Sequence, residues 1–263
     1  MHEQSVDKAA ACLKRIRDDG KALASFPEDA EPNDIEDAYR IQDRLVAALG
    51  EKTIGWKVGC TSAMAQKMTN TDEPFYGRMF NATSYRGSAS IDQCQVFAPI
   101  VEPEIAFRLS RDLTSDKAPF GVDGLLGAVD AIYAAIEIVD CRFAQGWPIP
   151  IMPTVADNGV HAAFISGDAI TDWPAVDRPA IAVRVDIDGA FAAEGIGANA
   201  LDDPINGLVW LANRCLARGH HLKKGEIITT GNLATAPVFA KPGQNIAVNF
   251  EGLGRVEVTF RAA

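Results

Sequence analysis

The chain has 263 residues, 48% of them hydrophobic and 23% charged, enough for one large domain or two small ones around a sizeable apolar core. A formal charge of -10 and an isoelectric point near 4.9 argue against nucleic acid or anionic membrane as partners, since neither is drawn to an acidic surface. A small anionic ligand would need a locally positive pocket.

The first fifty residues read as two helices. Ala9, Leu13 and Ile16 share one face, and Ile35, Tyr39, Gln42, Leu45 and Leu49 share another, with Pro27 and Pro32 between. Asn33 and Glu36 have capping-box spacing, which starts the second helix near Asp34. Residues 1–7 lack a basic stretch leading into an apolar one, and no apolar run approaches membrane-spanning length, so the expected location is cytoplasmic. From Thr53 onward short strand-like stretches alternate with Gly, Pro and Asn turns. The expected division is a helical part over 1–52 and a strand-rich catalytic domain over 53–263.

Lys57 lies in the apolar stretch Ile54–Gly59, where flanking glycines allow close backbone approach. A buried lysine there needs an anion, whether a neighbouring carboxylate, a substrate carboxylate or a proton-transfer partner; the alternative is a lysine that snorkels to the surface.

Alternation along Val101–Phe107 puts Glu102 and Glu104 on one face and Val101, Ile105 and Phe107 on the other. Glu137 lies in a second apolar strand, Ala135–Asp140. Three buried carboxylates without a cation would take up protons, whereas a divalent ion reduces a charge of minus three to minus one. Oxygen-only ligands suit Mg2+ or Mn2+ before Zn2+, and the four histidines show no ligand spacing. The alternative is a solvated face on an edge strand, suggested by Pro103, which cannot donate to a central ladder.

Leu125, Leu126, Val129 and Ile132 predict a helix over 124–134. Asp140 and Arg142 are spaced to form a structural ion pair, and Asp157-Asn158-Gly159 reads as an ordinary turn. A strand is expected over 180–187. A helix follows, capped by Asp203, opened by Pro204, carrying Leu208, Leu211, Ala212 and Cys215 on one face and ending at Gly219. Ile227–Thr229 reads as a strand ending at Thr230-Gly231, where backbone N–H groups and a hydroxyl can face an oxyanion. Ile246, Val248 and Phe250, then Val256, Val258 and Phe260, alternate around Gly252 and Gly254 as a hairpin. The five cysteines are scattered without a CxxC pair, so disulfides and structural zinc are not expected.

Together, Gly55-Trp56-Lys57-Val58-Gly59, Glu102-Pro103-Glu104-Ile105-Ala106-Phe107, Glu137-Ile138-Val139-Asp140-Cys141-Arg142, Ala156-Asp157-Asn158 and the tail from Pro204 through Thr230-Gly231 resemble the 2-keto-4-pentenoate hydratase and 4-oxalocrotonate decarboxylase family, within the fumarylacetoacetate hydrolase superfamily. The resemblance runs in order over nearly the whole chain. It implies an α+β fold with a mixed β-roll core and a smaller helical N-terminal part. It also implies a homo-oligomer and a Mg2+ or Mn2+ site held by Glu102, Glu104 and Glu137. Lys57, Glu104 and Glu137 would be catalytic, and Lys57, Asp157, His161, Thr230 and Gly231 would contact substrate. The implied activity is that of a hydratase-like lyase on a small anionic dienol or keto acid, a 2-hydroxy-2,4-dienoate or related 2-keto acid from aromatic ring meta-cleavage.

The chain also departs from the family pattern. Phe75 stands where family hydratases commonly carry Asp, Val160 stands where serine often follows the Asp-Asn-small segment, next to His161, and Cys60 replaces an aliphatic residue. These departures keep three alternatives in view: a 2-keto acid decarboxylase, a C–C bond hydrolase, and a ligand-binding relative without catalysis. Superfamily hydrolases generally use a His-Glu pair on a lid, and the N-terminal half here offers only His2.

Overall fold

The computed structural model describes residues 1–262. Helix α1 (Glu3–Asp19) buries Val6, Ala9, Leu13 and Ile16 and stops at Gly20, whose φ of 62° supplies the left-handed cap. Helix α2 (Ile35–Leu49) packs against it. The expected Asn33–Glu36 box does not form. Asp34 is the cap, accepting from Asp37 N at 2.8 Å, and Asn33 Nδ2 donates to the Asp37 carboxylate instead. Asp34 also brings a negative charge to the positive end of the helix.

The strands follow as β1 (Thr53–Gly59), then, after the short helix α3 (Ala63–Thr69), β2 (Phe75–Phe80), β3 (Ser84–Arg86), β4 (Ser88–Asp92) and β5 (Pro99–Leu109). Helix α4 (Val122–Leu126) precedes β6 (Val129–Asp140), and α5 (Ile151–Ala156) precedes β7 (His161–Ser166). The chain continues through β8 (Ala182–Ile187), β9 (Ala190–Ile196), α6 (Pro204–Ala217), β10 (Ile227–Thr229), β11 (Val238–Phe239), β12 (Asn245–Phe250) and β13 (Gly254–Arg261).

The helix expected over 124–134 is therefore α4 followed by the first half of β6. Gly127 ends the helix, and the residues beyond it pair with β5 on one side and β7 on the other. Because β6 is covered on both faces, its sequence is a nearly continuous apolar run, and Leu125, Val129 and Ile132 imitate a helical stripe.

An eight-stranded sheet runs β2-β1-β10-β5-β6-β7-β3, with β11 also on β5; a five-stranded sheet runs β4-β13-β12-β8-β9. The pairs β1–β10, β3–β7 and β4–β13 are parallel and the others antiparallel, so both sheets are mixed. The larger sheet curls until Met79 of β2 joins Phe164 of β7 in one apolar cluster with Ala106, Ala131, Tyr133 and Ala135. Register places Glu102 opposite Glu137, Glu104 opposite Ala135 and Ala106 opposite Tyr133, so all lie on this inner face. Val101, Ile105 and Phe107 face outward into the main core, which includes Val256 and Val258 of the second sheet and the buried faces of α1, α2 and α6.

Strand β5 is central, not an edge. Its proline is tolerated because its outer neighbour is interrupted: β10 pairs with 106–108, β11 with 100–101, and the segment between them crosses at Pro103, whose carbonyl accepts from Leu233 N at 2.8 Å. Helix α6 packs over β1 and β10, capped by Asp203 as expected. No helix among the described residues is long and apolar enough to cross a membrane.

Candidate metal centre

One carboxylate oxygen from each of Glu102, Glu104 and Glu137 lies within 4.8 Å of the others. Strand register brings Glu102 and Glu137 face to face, and alternation adds Glu104 on the same side. Glu104 and Glu137 are fully buried; Glu102 is half-buried and lines a cavity of about 200 Å³.

Lys57 reaches the cluster from β1. Its Nζ is 3.3 Å from Glu137 Oε2, an ion pair without hydrogen-bond alignment. Gly159 makes room for that side chain: at φ 61° it adopts a backbone few side chains tolerate, and a Cβ there would stand 3.0 Å from Lys57 Cε. The Phe75 ring covers the ammonium, with its centroid 4.9 Å away. His161 Nδ1 lies 2.8 Å from Glu137 Oε1. Gly231 N donates to Glu104 Oε2 at 2.8 Å, and at φ 105° its missing Cβ leaves space for the Thr61 side chain.

These contacts leave Glu104 Oε1 and Glu137 Oε2 buried without a hydrogen bond. Burial pushes the Glu102 carboxyl up to about 7, against the pull of Lys57. Burial, then the charges of Glu137 and Glu102, push Glu104 well above the carboxylate range. Glu137 is held below that range because Lys57 and His161 outweigh its burial. Burial lowers Lys57, but the three glutamates more than reverse this, so it stays charged. One lysine therefore compensates one carboxylate, and two remain in want of a cation. Hard oxygen donors with unpartnered atoms at this spacing fit a Mg2+ or Mn2+ ion.

The cavity beside Glu102 is lined by Cys60, Thr61, Met64, Asn199 and Asn232, all uncharged. A larger hollow of about 610 Å³, lined by Arg17, Phe97, Arg142 and His161, reaches none of the three glutamates. Carboxylate geometry, not volume, marks the site.

Other expected residues go elsewhere. The Asp157 carboxylate is fully buried between Arg17 at 2.5 Å and Arg142 at 3.1 Å. The expected Asp140–Arg142 pair does not form, because Asp140 accepts from Phe97 N and Ala98 N while Arg142 turns to Asp157. Thr230 faces Gly207 of α6, and its hydroxyl donates to Ile105 O at 2.8 Å. Thr229 is the inward threonine: it pairs in register with Lys57 and Ala106, and its buried hydroxyl has no partner. Strand alternation from Ile227 carries that signal.

A family model described as fumarylacetoacetate (FAA) hydrolase C-terminal matches residues 60–261. The chain is 34% identical over 261 residues to a 2-keto-4-pentenoate hydratase of Burkholderia vietnamiensis, covering 98% of each chain. It is 34% identical over 247 residues to the 2-hydroxyhexa-2,4-dienoate hydratase of Comamonas testosteroni, covering 91% of each. The solved structure of 4-oxalocrotonate decarboxylase from Pseudomonas putida G7, complexed with magnesium and adipate, superposes with a TM-score of 0.91 at 26% identity. That match covers 100% of this chain and 99% of the other.

Proposed function

We propose, from the premise that this chain belongs to the 2-keto-4-pentenoate hydratase family of the fumarylacetoacetate hydrolase superfamily, that it is a divalent-metal-dependent hydro-lyase adding water to a 2-hydroxy-2,4-dienoate. The observation that carries the metal dependence is the convergence of Glu102, Glu104 and Glu137 with two buried oxygens unpartnered. These three residues would hold Mg2+ or Mn2+, which when bound supplies Lewis acidity toward the carboxylate and 2-oxygen of the substrate.

The chain's own groups account for the rest. Lys57, buried and charged beside Glu137, orients the substrate anion or moves a proton at Nζ. Glu104 or Glu137 accepts a proton as the dienol becomes a ketone. Gly231 holds Glu104 in place through its N–H. Phe75 and the inner apolar cluster keep bulk water from the lysine and from the floor below it. In the net reaction the 2-hydroxyl gives up its proton as the ketone forms, C5 and C3 each gain a proton, C4 gains the water-derived hydroxyl, and a 4-hydroxy-2-oxo acid results.

The cavity wall favours this reading over decarboxylation of a dicarboxylate. Among the described residues no Lys, Arg or His lines it, so a second carboxylate at the far end of a substrate would be desolvated without a counter-charge, whereas an uncharged tail would need none. Hydrolysis is disfavoured because His161, the available histidine, is buried with Nδ1 committed to Glu137. The same reading places a homo-oligomer in the cytoplasm, and exposed Phe191, Ile196 and Phe239 supply apolar surface for subunit contact.

Dialysis against a chelator is expected to abolish loss of dienol absorbance with 2-hydroxypenta-2,4-dienoate, and Mg2+ or Mn2+ to restore it without CO2 release. Turnover that survives full metal removal would end the mechanism; CO2 release would turn it into a decarboxylase.

A further inference from the structure

We infer that His161 is the positioning residue for Glu137: its Nδ1–H fixes Oε1 and thereby turns Oε2 toward the other two carboxylates. The inference rests on the metal-centre reading above and concerns a residue that the family resemblance alone would place against substrate.

A carboxylate on a free side chain rotates easily, because its terminal torsion is broad and nearly two-fold. Glu137 has one hydrogen bond that stops this rotation, the 2.8 Å contact from His161 Nδ1. A carboxylate oxygen can only accept, so Nδ1 carries the hydrogen that faces it across this contact. Nε2 is buried and has no partner among the described residues. Substrate contact is a poor alternative role, since His161 lines the larger hollow and not the cavity beside Glu102.

The backbone of His161 is itself braced. Arg142 Nη2 donates to His161 O at 2.9 Å while Nη1 donates to Asp157 Oδ2 at 3.1 Å. Arg17 of α1 holds the other Asp157 oxygen at 2.5 Å and donates to Asp157 O at 3.3 Å. Asp157 thus supports the start of β7, and the first helix is tied through Asp157, Arg142 and His161 to a ligand carboxylate. Hydrogen-bonded partners of this kind set ligand orientation, and their loss weakens metal binding.

Calorimetric titration of Mn2+ into the metal-free protein reads this without turnover. His161→Leu is expected to weaken Mn2+ roughly 10- to 100-fold, while His161→Asn, which keeps an N–H at the Nδ1 position, stays within about threefold of wild type. His161→Gln places its donor too far along and should resemble the leucine variant, so a polar pair tests the same point if leucine prevents folding. At saturating Mn2+, KM for the dienoate should be unchanged. Equal Mn2+ affinity in all variants, or raised KM with unchanged affinity, overturns the inference and leaves the metal centre standing. Wild-type protein that binds no Mn2+ overturns both.

Discussion

The inner face of the curled sheet has two ends built on the same strands. At one end β5 and β6 present Glu102, Glu104 and Glu137, with Phe164 of β7 in register beside Glu137; further along both strands the same face carries Ala106, Tyr133 and Ala131, packed with Met79. The strands, curvature and pairing are shared, yet one end accumulates negative charge and the other excludes water. The apolar end packs beneath the carboxylates, so on the proposed function ion and substrate would enter from the side of the Glu102 cavity. Low local polarity below also strengthens every charge interaction above.

Substitutions at the two ends should separate these roles. Glu104→Gln removes a ligand charge but little volume, and is expected to lose Mn2+ binding and roughly 10³-fold in kcat/KM, about 4 kcal/mol of transition-state stabilisation, with the fold intact by circular dichroism. Met79→Ala acts at the other end, at a buried position in register with Gly55 rather than with the glutamates. It should cost about 3–4 kcal/mol in urea denaturation, from lost burial and the cavity left behind, while the folded fraction still binds Mn2+. If this variant lost metal affinity as completely as Glu104→Gln, the two ends would be one cooperative unit and the contrast would fail. The smallest effect is expected at Thr230→Val, which removes one buried hydrogen bond to Ile105 O and should cost about 1–2 kcal/mol of stability with kcat unchanged. A fall in kcat there, with metal affinity retained, would return Thr230 to the substrate-facing role that the family resemblance implies.

Much of this site was legible in the sequence, for a definite reason. Glu102 and Glu104 are two apart in a strand, a local relation that alternation resolves, and Glu137 stands in a run too apolar to waste a charge. The caps of α6 and the C-terminal hairpin are local in the same way, and both formed as expected. Features that depend on distant partners were hidden. Val129–Asp140 reads as a helix at its start because only pairing with β5 and β7 makes it a strand. Pro103 suggests an edge until the gap between β10 and β11 is known. Asp157 sits in a turn-like triplet, and nothing near it in sequence announces Arg17, 140 residues away. Phe75 reads as a lost acid, but in three dimensions it roofs Lys57.

The hydrogen bond from Gly231 to Glu104 has an evolutionary consequence. Its donor is main chain, so exchanging a neighbouring side chain leaves the bond in place. Asn232, Ala234 and Thr235 follow directly and line the cavity, as does Met64 from the first turn of α3. On the proposed function, a lineage could therefore vary the wall that would meet the tail of the substrate while keeping the contact that fixes Glu104. Substrate range and metal affinity would then be separately heritable, so that one scaffold could diversify across related acids without relearning its reaction.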